Sequence, residues 1–578
     1  MARFRLTADR VRSAAGLCEL FQDTVAALPD RVALRSSDGR TELTWRQYGD
    51  RVRRIAAGLH ALGVRRGDTV GLMLTNRPEF HLIDTAAFHL GAVPFSVYNT
   101  SAAEQIAHLF GNAGNRVVVC EEQFLGRVRE AAEGTAVERV VLVEDLADLE
   151  AGADPGFDFD AAWRAVRPDD LLTLIYTSGT TGPPKGVEIT HGATLFSLAS
   201  ALEVPELGAA LNGGRALSYL PDAHLANRWF AHYAPLAGGV EVTTVADLRT
   251  VAAVLPQVGP TVFLGVPALW YKIKAGVERA VAAESGPRAR VGRQALRLGL
   301  AAARAEASGE RLSPSLRARH RLADRLVLSG IRRRIGMDRA LIAFTGAAPI
   351  SLAALEFVLS LGVPIREAWS LTEASPVGVL NRLGDNRPGT VGRVMPGVET
   401  RLTGDGELLI RSPGLMRGYR GDPARTAEAL DEDGWLHSGD LATIDADGYH
   451  TLIGRKKEII INAGGKNMSP ANIELAVHAQ SPLIAHVVCV GDGRPYNVAL
   501  IALDPEAGRT ADDPEAVAEI AAAVARGNAR LSRVEQIRKY RVLDGAWLPG
   551  DELTPTLKPR RGPIAAKYAD LIEEMYRS

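Results

Sequence analysis

An apolar run, Leu171–Tyr176, opens directly into Thr177-Ser178-Gly179-Thr180-Thr181-Gly182-Pro183-Pro184-Lys185-Gly186. No other stretch constrains the chain as strongly. A short apolar run bounded by turn residues reads as a buried strand. The loop after it collects hydroxyl donors, backbone N–H groups freed by glycine, and one cation. Those are the groups that surround a polyphosphate. A Walker A loop would place Ser or Thr directly after the lysine. Here Gly186 follows Lys185, so the usual magnesium-binding hydroxyl is missing and the loop is of another kind. Read alone, the stretch could also be a Ser/Thr/Gly surface turn; the rest of the chain argues against that.

The flanking sequence sets this loop in an α/β frame. Leu43–Leu62 has helical spacing behind a cap at Thr44, and Thr69–Leu74 reads as a strand. Helix-like Arg77–Leu90 and Ala102–Asn112 then alternate with strand-like Val93–Tyr98, Arg116–Cys120 and Val137–Val143. Such alternation predicts largely parallel sheets. Leu269–Met337, rich in Ala, Leu and Arg, predicts helices. Its arginine run from Arg288 to Arg334 reads as a solvated face or as a surface for peripheral membrane contact. Leu341–Thr345 and Val363–Ala368 read as strands around a helix, Ser351–Leu361, with Gly362 as its C-terminal cap. Gly389–Asp440 is dense in Gly and Asp turns, which suggests a β-rich subdomain. The character changes after Arg455-Lys456-Lys457. Strand-like Ala485–Val490 and Val498–Leu503 and helix-like Pro514–Ala525 follow. The predicted fold class is therefore α/β. It has a large N-terminal domain of packed α/β sheets plus a β-rich subdomain (1–455) and a small, mobile C-terminal α+β domain (456–578).

Bulk properties exclude several classes. The chain has 578 residues, too many for one ordinary domain. A formal net charge of −1 provides no global field toward nucleic acid. Cys18, Cys120 and Cys489 lie far apart, so neither a disulfide framework nor a zinc site is expected. The N-terminus lacks the apolar core of a signal peptide, and no apolar run is long enough to span a bilayer. A cytoplasmic location is expected. Arginine greatly outnumbers lysine, which draws attention to Lys185, Lys456, Lys457, Lys466 and Lys558, all in motif-like stretches. No nucleophilic triad pattern is present.

The phosphate loop and several later segments, in order, resemble the adenylate-forming enzymes: acyl-CoA synthetases, luciferases and peptide-synthetase adenylation domains. Ser218–His224 reads SYLPDAH and is similar to a family turn that lines the acyl pocket, where His224 would position or gate the acyl group. A structural histidine is the other reading. Thr345-Gly346-Ala347-Ala348-Pro349 resembles the turn that packs on adenine and ribose. Glu367-Ala368-Trp369-Ser370-Leu371-Thr372-Glu373 resembles the Tyr-Gly-x-Thr-Glu segment, with Trp in place of Tyr and Ser370 in place of Gly. The resemblance implies that Glu367 and Ala368 border the nucleotide, Trp369 stacks on adenine, and Thr372 contacts the α-phosphate. Glu373 and Thr177 would hold magnesium. Trp435–Asp440 matches Trp-x-x-[Ser/Thr]-Gly-Asp, so Asp440 would take the ribose hydroxyls, and Arg455 would contact ribose or phosphate. Lys457 would be a hinge pivot, and Gly464 and Gly465 would lie in the glycine loop that faces the pantetheine channel during thioester formation. Leu553–Arg561 resembles the C-terminal motif, with Lys558 as the adenylation lysine, while Lys185 would serve the phosphates.

The helical segment followed by Ala343-Phe344-Thr345-Gly346 looks like the long-chain acyl-CoA synthetase branch of bacterial type. The implied substrates are a medium- or long-chain fatty acid, ATP with Mg2+, and coenzyme A. The apolar, aromatic run around Leu225–Tyr233 suits an acyl tunnel. Two alternatives remain open at this point: a fatty-acyl-AMP ligase that loads a carrier protein, and a nucleotide-binding regulator without activity.

Overall fold

The computed structural model describes residues 4–577, except 153, 155, 178–182, 347, 546, 549 and 555–557. Thr44 starts the helix Trp45–Ala61 with a reciprocal cap. Its hydroxyl accepts from the Gln47 N–H, and the Gln47 side chain accepts from the Thr44 N–H. One face of that helix buries Trp45, Tyr48, Val52, Ile55 and Leu59. It leads into a four-stranded parallel sheet ordered Val93–Ser96, Thr69–Met73, Val117–Cys120, Arg139–Leu142. Its inner strands are buried along their whole length, which is why they read as unbroken apolar runs. The outermost is shorter than its sequence pattern, because the chain turns at Val143–Asp145.

A second sheet runs Glu42–Thr44, Val32–Ser36, Glu241–Thr244, Arg215–Ser218, parallel except at its first pair. In a third, Val262–Gly265, Ile342–Thr345 and Ile365–Trp369 are parallel, and two short antiparallel strands, Val379–Leu380 and Arg393–Val394, extend it. The strands on either side of the Ser/Thr/Gly stretch form an antiparallel pair. Leu171–Thr177 pairs with Lys185–Thr190, and Gly418–Tyr419 adds to the second strand. An antiparallel sheet of Glu399–Leu402, Glu407–Arg411, Leu436–Ile444 and His450–Arg455 forms the β-rich part.

The arginine-rich stretch is helical, as its composition predicts: Pro267–Ala283, Gly286–Ala307, Pro314–Ala323, a π-helical turn at Asp324–Leu328, and Ser329–Arg334. Gly362 takes a φ of 78° after the helix Leu352–Ser360, the conformation expected of its cap.

The main core draws on residues from Leu6 to Ala442. The C-terminal part has its own apolar clusters, one from Ile460 to Ile537 and one from Val488 to Met575. They pack a three-stranded sheet, Ile484–Val490, Asn497–Leu503 and Ile537–Leu543, against the helices Pro470–His478, Pro514–Asn528 and Ala569–Arg577.

Candidate active site

The phosphate hairpin ends on Thr177, whose register partner is Lys185. Ser178, Gly179, Thr180, Thr181 and Gly182 lie outside the described residues, as does Ala347. The Lys185 ammonium stands 4.7 Å from the centre of the Tyr419 ring. The Tyr419 hydroxyl donates to Glu373 Oε1 at 3.0 Å. A lysine, a tyrosine and a carboxylate thus meet beside the loop. Tyr419 arrives because Gly418–Tyr419 is the third strand of the hairpin sheet, at register with Glu188 and Val187. Burial and the neighbouring Glu373 charge push the Tyr419 phenol up, so it stays protonated as a donor.

Thr345 and Glu367 are register partners on adjacent parallel strands, so Gly346 and the Glu367–Trp369 segment lie side by side. Ala348 and Pro349 follow as exposed residues before the helix capped by Ser351. The Thr345 hydroxyl is buried without a protein partner. Glu367 accepts from the Gly389 N–H at 2.8 Å, yet burial pushes its carboxyl up to about 7. Thr372 and Glu373 sit on a 3₁₀ turn, and Ser375 just after it has a φ of 48°, the only non-glycine with positive φ among the described residues. Strain of this kind persists where the surroundings over-determine the backbone.

Trp369 is buried, and its indole N–H donates to Asp440 Oδ2 at 2.8 Å. The Arg455 Nε lies 2.8 Å from Asp440 Oδ1. Asp440 and Arg455 are register partners on adjacent antiparallel strands, and Gly439, within the same strand as Asp440, takes a φ of 70°. Burial raises the Asp440 carboxyl, while Arg455 and the indole pull it back toward ionisation.

His224 caps the short helix Leu225–Arg228, its Nδ1 accepting from the Ala226 N–H at 3.1 Å. That bond places the proton of the neutral ring on Nε2. Burial, helped by the nearby Lys558 charge, lowers the imidazole to about 4. His224 is thus both structural and adjacent to the lysine. Behind it, the Arg228 Nε donates to the Asp222 carbonyl at 2.8 Å and fixes the turn. Trp229–Tyr233 forms a π-helical turn, and Phe230 packs on Phe344 at 5.2 Å between ring centres.

Lys558 comes from the C-terminal part; its side chain keeps solvent access, and the protein around it is dense enough to cost its ammonium part of its hydration. Burial lowers its ammonium; the positive Arg455 adds to this, and Asp440 and Glu458 oppose it. The charges of Lys558, Arg455 and Asp440 therefore act on one another, and that of Lys558 reaches His224. Gly464 and Gly465 are not among them. Their backbone bonds close within an exposed loop, where Asn462 Oδ1 accepts from the Gly464 N–H at 3.0 Å. Among the described residues, no group of three or more His, Cys, Asp or Glu could cage a metal. One carboxylate, Glu373, beside a phosphate loop fits Mg2+, which is usually bound by one or two carboxylates and substrate phosphates.

Sequence reasoning missed Tyr419, Ser375 and Glu458. No local string marks them: Tyr419 lies in an ordinary-looking Gly-Tyr-Arg, and a left-handed serine has no sequence signature.

Residues 21–420 match the family model described as AMP-binding enzyme, and residues 457–578 match AMP-binding enzyme C-terminal domain. The chain is 48% identical over 453 residues to a Mycobacterium tuberculosis protein named for fatty-acid–CoA ligase activity, fadD11, covering 75% of this chain and 78% of the relative. The long-chain-fatty-acid–CoA ligase FadD15 of the same organism is 35% identical, covering 93% and 92%. A Gallus gallus long-chain-fatty-acid–CoA ligase, ACSBG2, is 32% identical, covering 96% and 81%. The adenylation domain of a Mycobacterium chelonae carboxylate reductase superposes with a TM-score of 0.77 at 22% identity, covering 99% of this chain and 93% of that one.

Proposed function

The chain belongs to the AMP-binding enzyme family, and from that membership we propose roles for the residues gathered around Lys558. The protein activates a medium- or long-chain fatty acid with ATP, giving an acyl-adenylate and pyrophosphate, and then transfers the acyl group to coenzyme A with release of AMP. In the first step a carboxylate oxygen attacks the α-phosphorus, and the bond to the pyrophosphate oxygen breaks. In the second, the thiol sulfur attacks the acyl carbonyl and AMP leaves. No side chain need become covalently attached, so positioning and electrostatics carry the catalysis.

In our reading Lys558 bridges the attacking carboxylate and the α-phosphate, and Lys185 and Thr372 steady the phosphates. His224 offers its Nε2–H to the acyl carboxylate. Asp440 takes the ribose hydroxyls beside Arg455, and Gly346, Ala348, Pro349 and the Glu367–Trp369 strand wall the adenine. Mg2+, when bound, offsets phosphate charge, and Glu373, steadied by Tyr419, would hold it together with Thr177. The single observation that supports this most is that the Lys558 charge acts on His224, Asp440 and Arg455 across two parts of the chain.

We place the boundary between those parts after Arg455, giving 1–455 and 456–578, with Lys457 as pivot. Lys456 is held by Asp405 at 2.6 Å and Glu407 at 3.0 Å, whereas Lys457 is exposed and has no ion pair among the described residues. Gly464 and Gly465 would serve the second half-reaction after a swing about that point. We read the location as the cytoplasm. No described helix is long and apolar enough to cross a membrane, so contact with a bilayer would be peripheral.

Pyrophosphate release with acetate, benzoate and laurate, with and without coenzyme A, tests the reading. Each buried methylene contributes about 0.8 kcal/mol, so laurate should lead acetate in specificity constant by several powers of ten. Acyl-CoA should accumulate only with coenzyme A. A clear preference for acetate or benzoate would overturn the acyl assignment.

A further inference from the structure

Lys558 lies on a connector, outside any helix or strand, so whatever holds its backbone decides where its ammonium stands. On one side the hold is local. The Lys558 N–H donates to Thr554 Oγ1 at 3.0 Å, and the Lys558 carbonyl accepts from the Thr554 N–H at 2.8 Å. On the other side, Arg561 opens the helix Arg561–Lys567. Its guanidinium forks onto both oxygens of Glu474, reaching Oε2 at 2.6 Å, and its Nε donates to Glu458 Oε2 at 3.1 Å. Those carboxylates come from different elements. Glu474 stands on the helix Pro470–His478 and also accepts from the Cys489 N–H at 2.7 Å. Glu458 ends the 3₁₀ turn Lys456–Glu458, directly after Arg455. Its charge acts on Lys558 and on Asp440. The Glu474 side chain is 12% exposed and that of Arg561 25%. A shielded ion pair is weak support for stability, because burial strips both charges of water. A bidentate fork supplies direction as well as distance.

We propose that Arg561 is the positioning residue of Lys558: by clamping Glu474 and Glu458 it fixes the connector that carries the lysine and keeps the Glu458 carboxylate within reach of its charge. Arg561 acts through Lys558 and needs no contact with substrate. The proposal rests on the reading of Lys558 as the adenylation lysine. It carries a pH signature. Burial and Arg455 lower the Lys558 ammonium, while Asp440 and Glu458 raise it. The charges that face Arg561 are Glu474 and Glu458. Freeing Glu458 from Arg561 should therefore move the alkaline limb of adenylation to higher pH, and neutralising Glu458 should move it to lower pH.

The test compares Arg561→Met/Glu474→Gln with Glu458→Gln in the full chain. In the first, methionine fills the space of the arginine stem and glutamine still accepts from the Cys489 N–H. The buried ion pair becomes a neutral one, so the melting temperature should stay near wild type. Fatty-acid-dependent ATP–pyrophosphate exchange should fall by about 10²-fold, the loss that ångström-scale misplacement produces, while thioester formation from pre-made acyl-adenylate stays near wild type. The alkaline limb of exchange should rise in this variant and fall in Glu458→Gln. Wild-type exchange in the double variant, equal loss in both half-reactions, or limbs that move the same way would each overturn the proposal. Should the double variant fail to fold, Glu458→Gln decides, because an unmoved or raised limb there contradicts the clamp. Lys558→Ala separates the two readings. If exchange survives in it, the lysine assignment falls and the proposal with it. If exchange is lost in it but intact in the double variant, the proposal alone falls.

Discussion

Asp440 is held by two donors, the Trp369 indole on one oxygen and Arg455 on the other. An amide at this position would have to turn its NH2 toward one of those donors. Asp440→Asn should therefore disorganise the ribose subsite. Hydrogen bonds to charged groups are worth about 1.5–3 kcal/mol, so KM for ATP should rise by roughly ten- to a hundred-fold. KM for the fatty acid should stay nearly unchanged, because that substrate meets His224 instead. An ATP KM within two-fold of wild type would remove Asp440 from the nucleotide site. At this scale the sequence was partly legible. The Ser-Gly-Asp string singled out Asp440, and the aromatic before Thr-Glu singled out Trp369. Their mutual bond was not legible, because it depends on two strands of different sheets meeting. His224 was likewise visible through the likeness of SYLPDAH to a family turn, but its capping of Leu225–Arg228 comes from backbone geometry that no residue type announces.

At the scale of elements, strands and helices were legible where burial repeats in the sequence. The capping pair Thr44 and Gln47, the apolar runs of the parallel sheet and the glycine after Ser360 each carry their own local signal. The first strand of the hairpin was legible as an apolar run. The hairpin's third strand, Gly418–Tyr419, was not, since two residues carry no periodicity and the pairing spans most of the chain. The glycine loop at Gly464 and Gly465 yields a prediction of its own. Gly465 has a φ of 71°, and a Cβ built there meets nothing within 4 Å, so a side chain would strain the backbone locally without clashing. The loop's own bonds close on Asn462, so its backbone is held locally. Gly465→Val should leave fatty-acid-dependent ATP–pyrophosphate exchange near wild type and slow thioester formation from pre-made acyl-adenylate by at least about ten-fold. Equal loss in both half-reactions would mean that the loop supports the fold rather than the second step.

For the whole molecule, the account depends on two separately cored parts meeting at one lysine. Composition and turn density mark the change near Arg455, and the scarcity of lysine marks Lys558. The sequence could not bring the Lys558 charge within range of His224, because that is set by how the C-terminal part docks. Docking also fixes a pH signature. Burial and the Arg455 charge lower the Lys558 ammonium from its ordinary 10.5. The charge that adenylation requires is thus lost at lower pH than for a free lysine. The alkaline limb of kcat/KM should reflect this, and Lys558→Arg should flatten it. The most direct measurement is the pair of half-reactions in Lys558→Ala: fatty-acid-dependent ATP–pyrophosphate exchange, and thioester formation from pre-made acyl-adenylate and coenzyme A. Loss of one such charge contact costs about 10²–10³ in rate, so exchange should fall by that factor while the second reaction stays near wild type. Normal exchange in this variant would contradict the account.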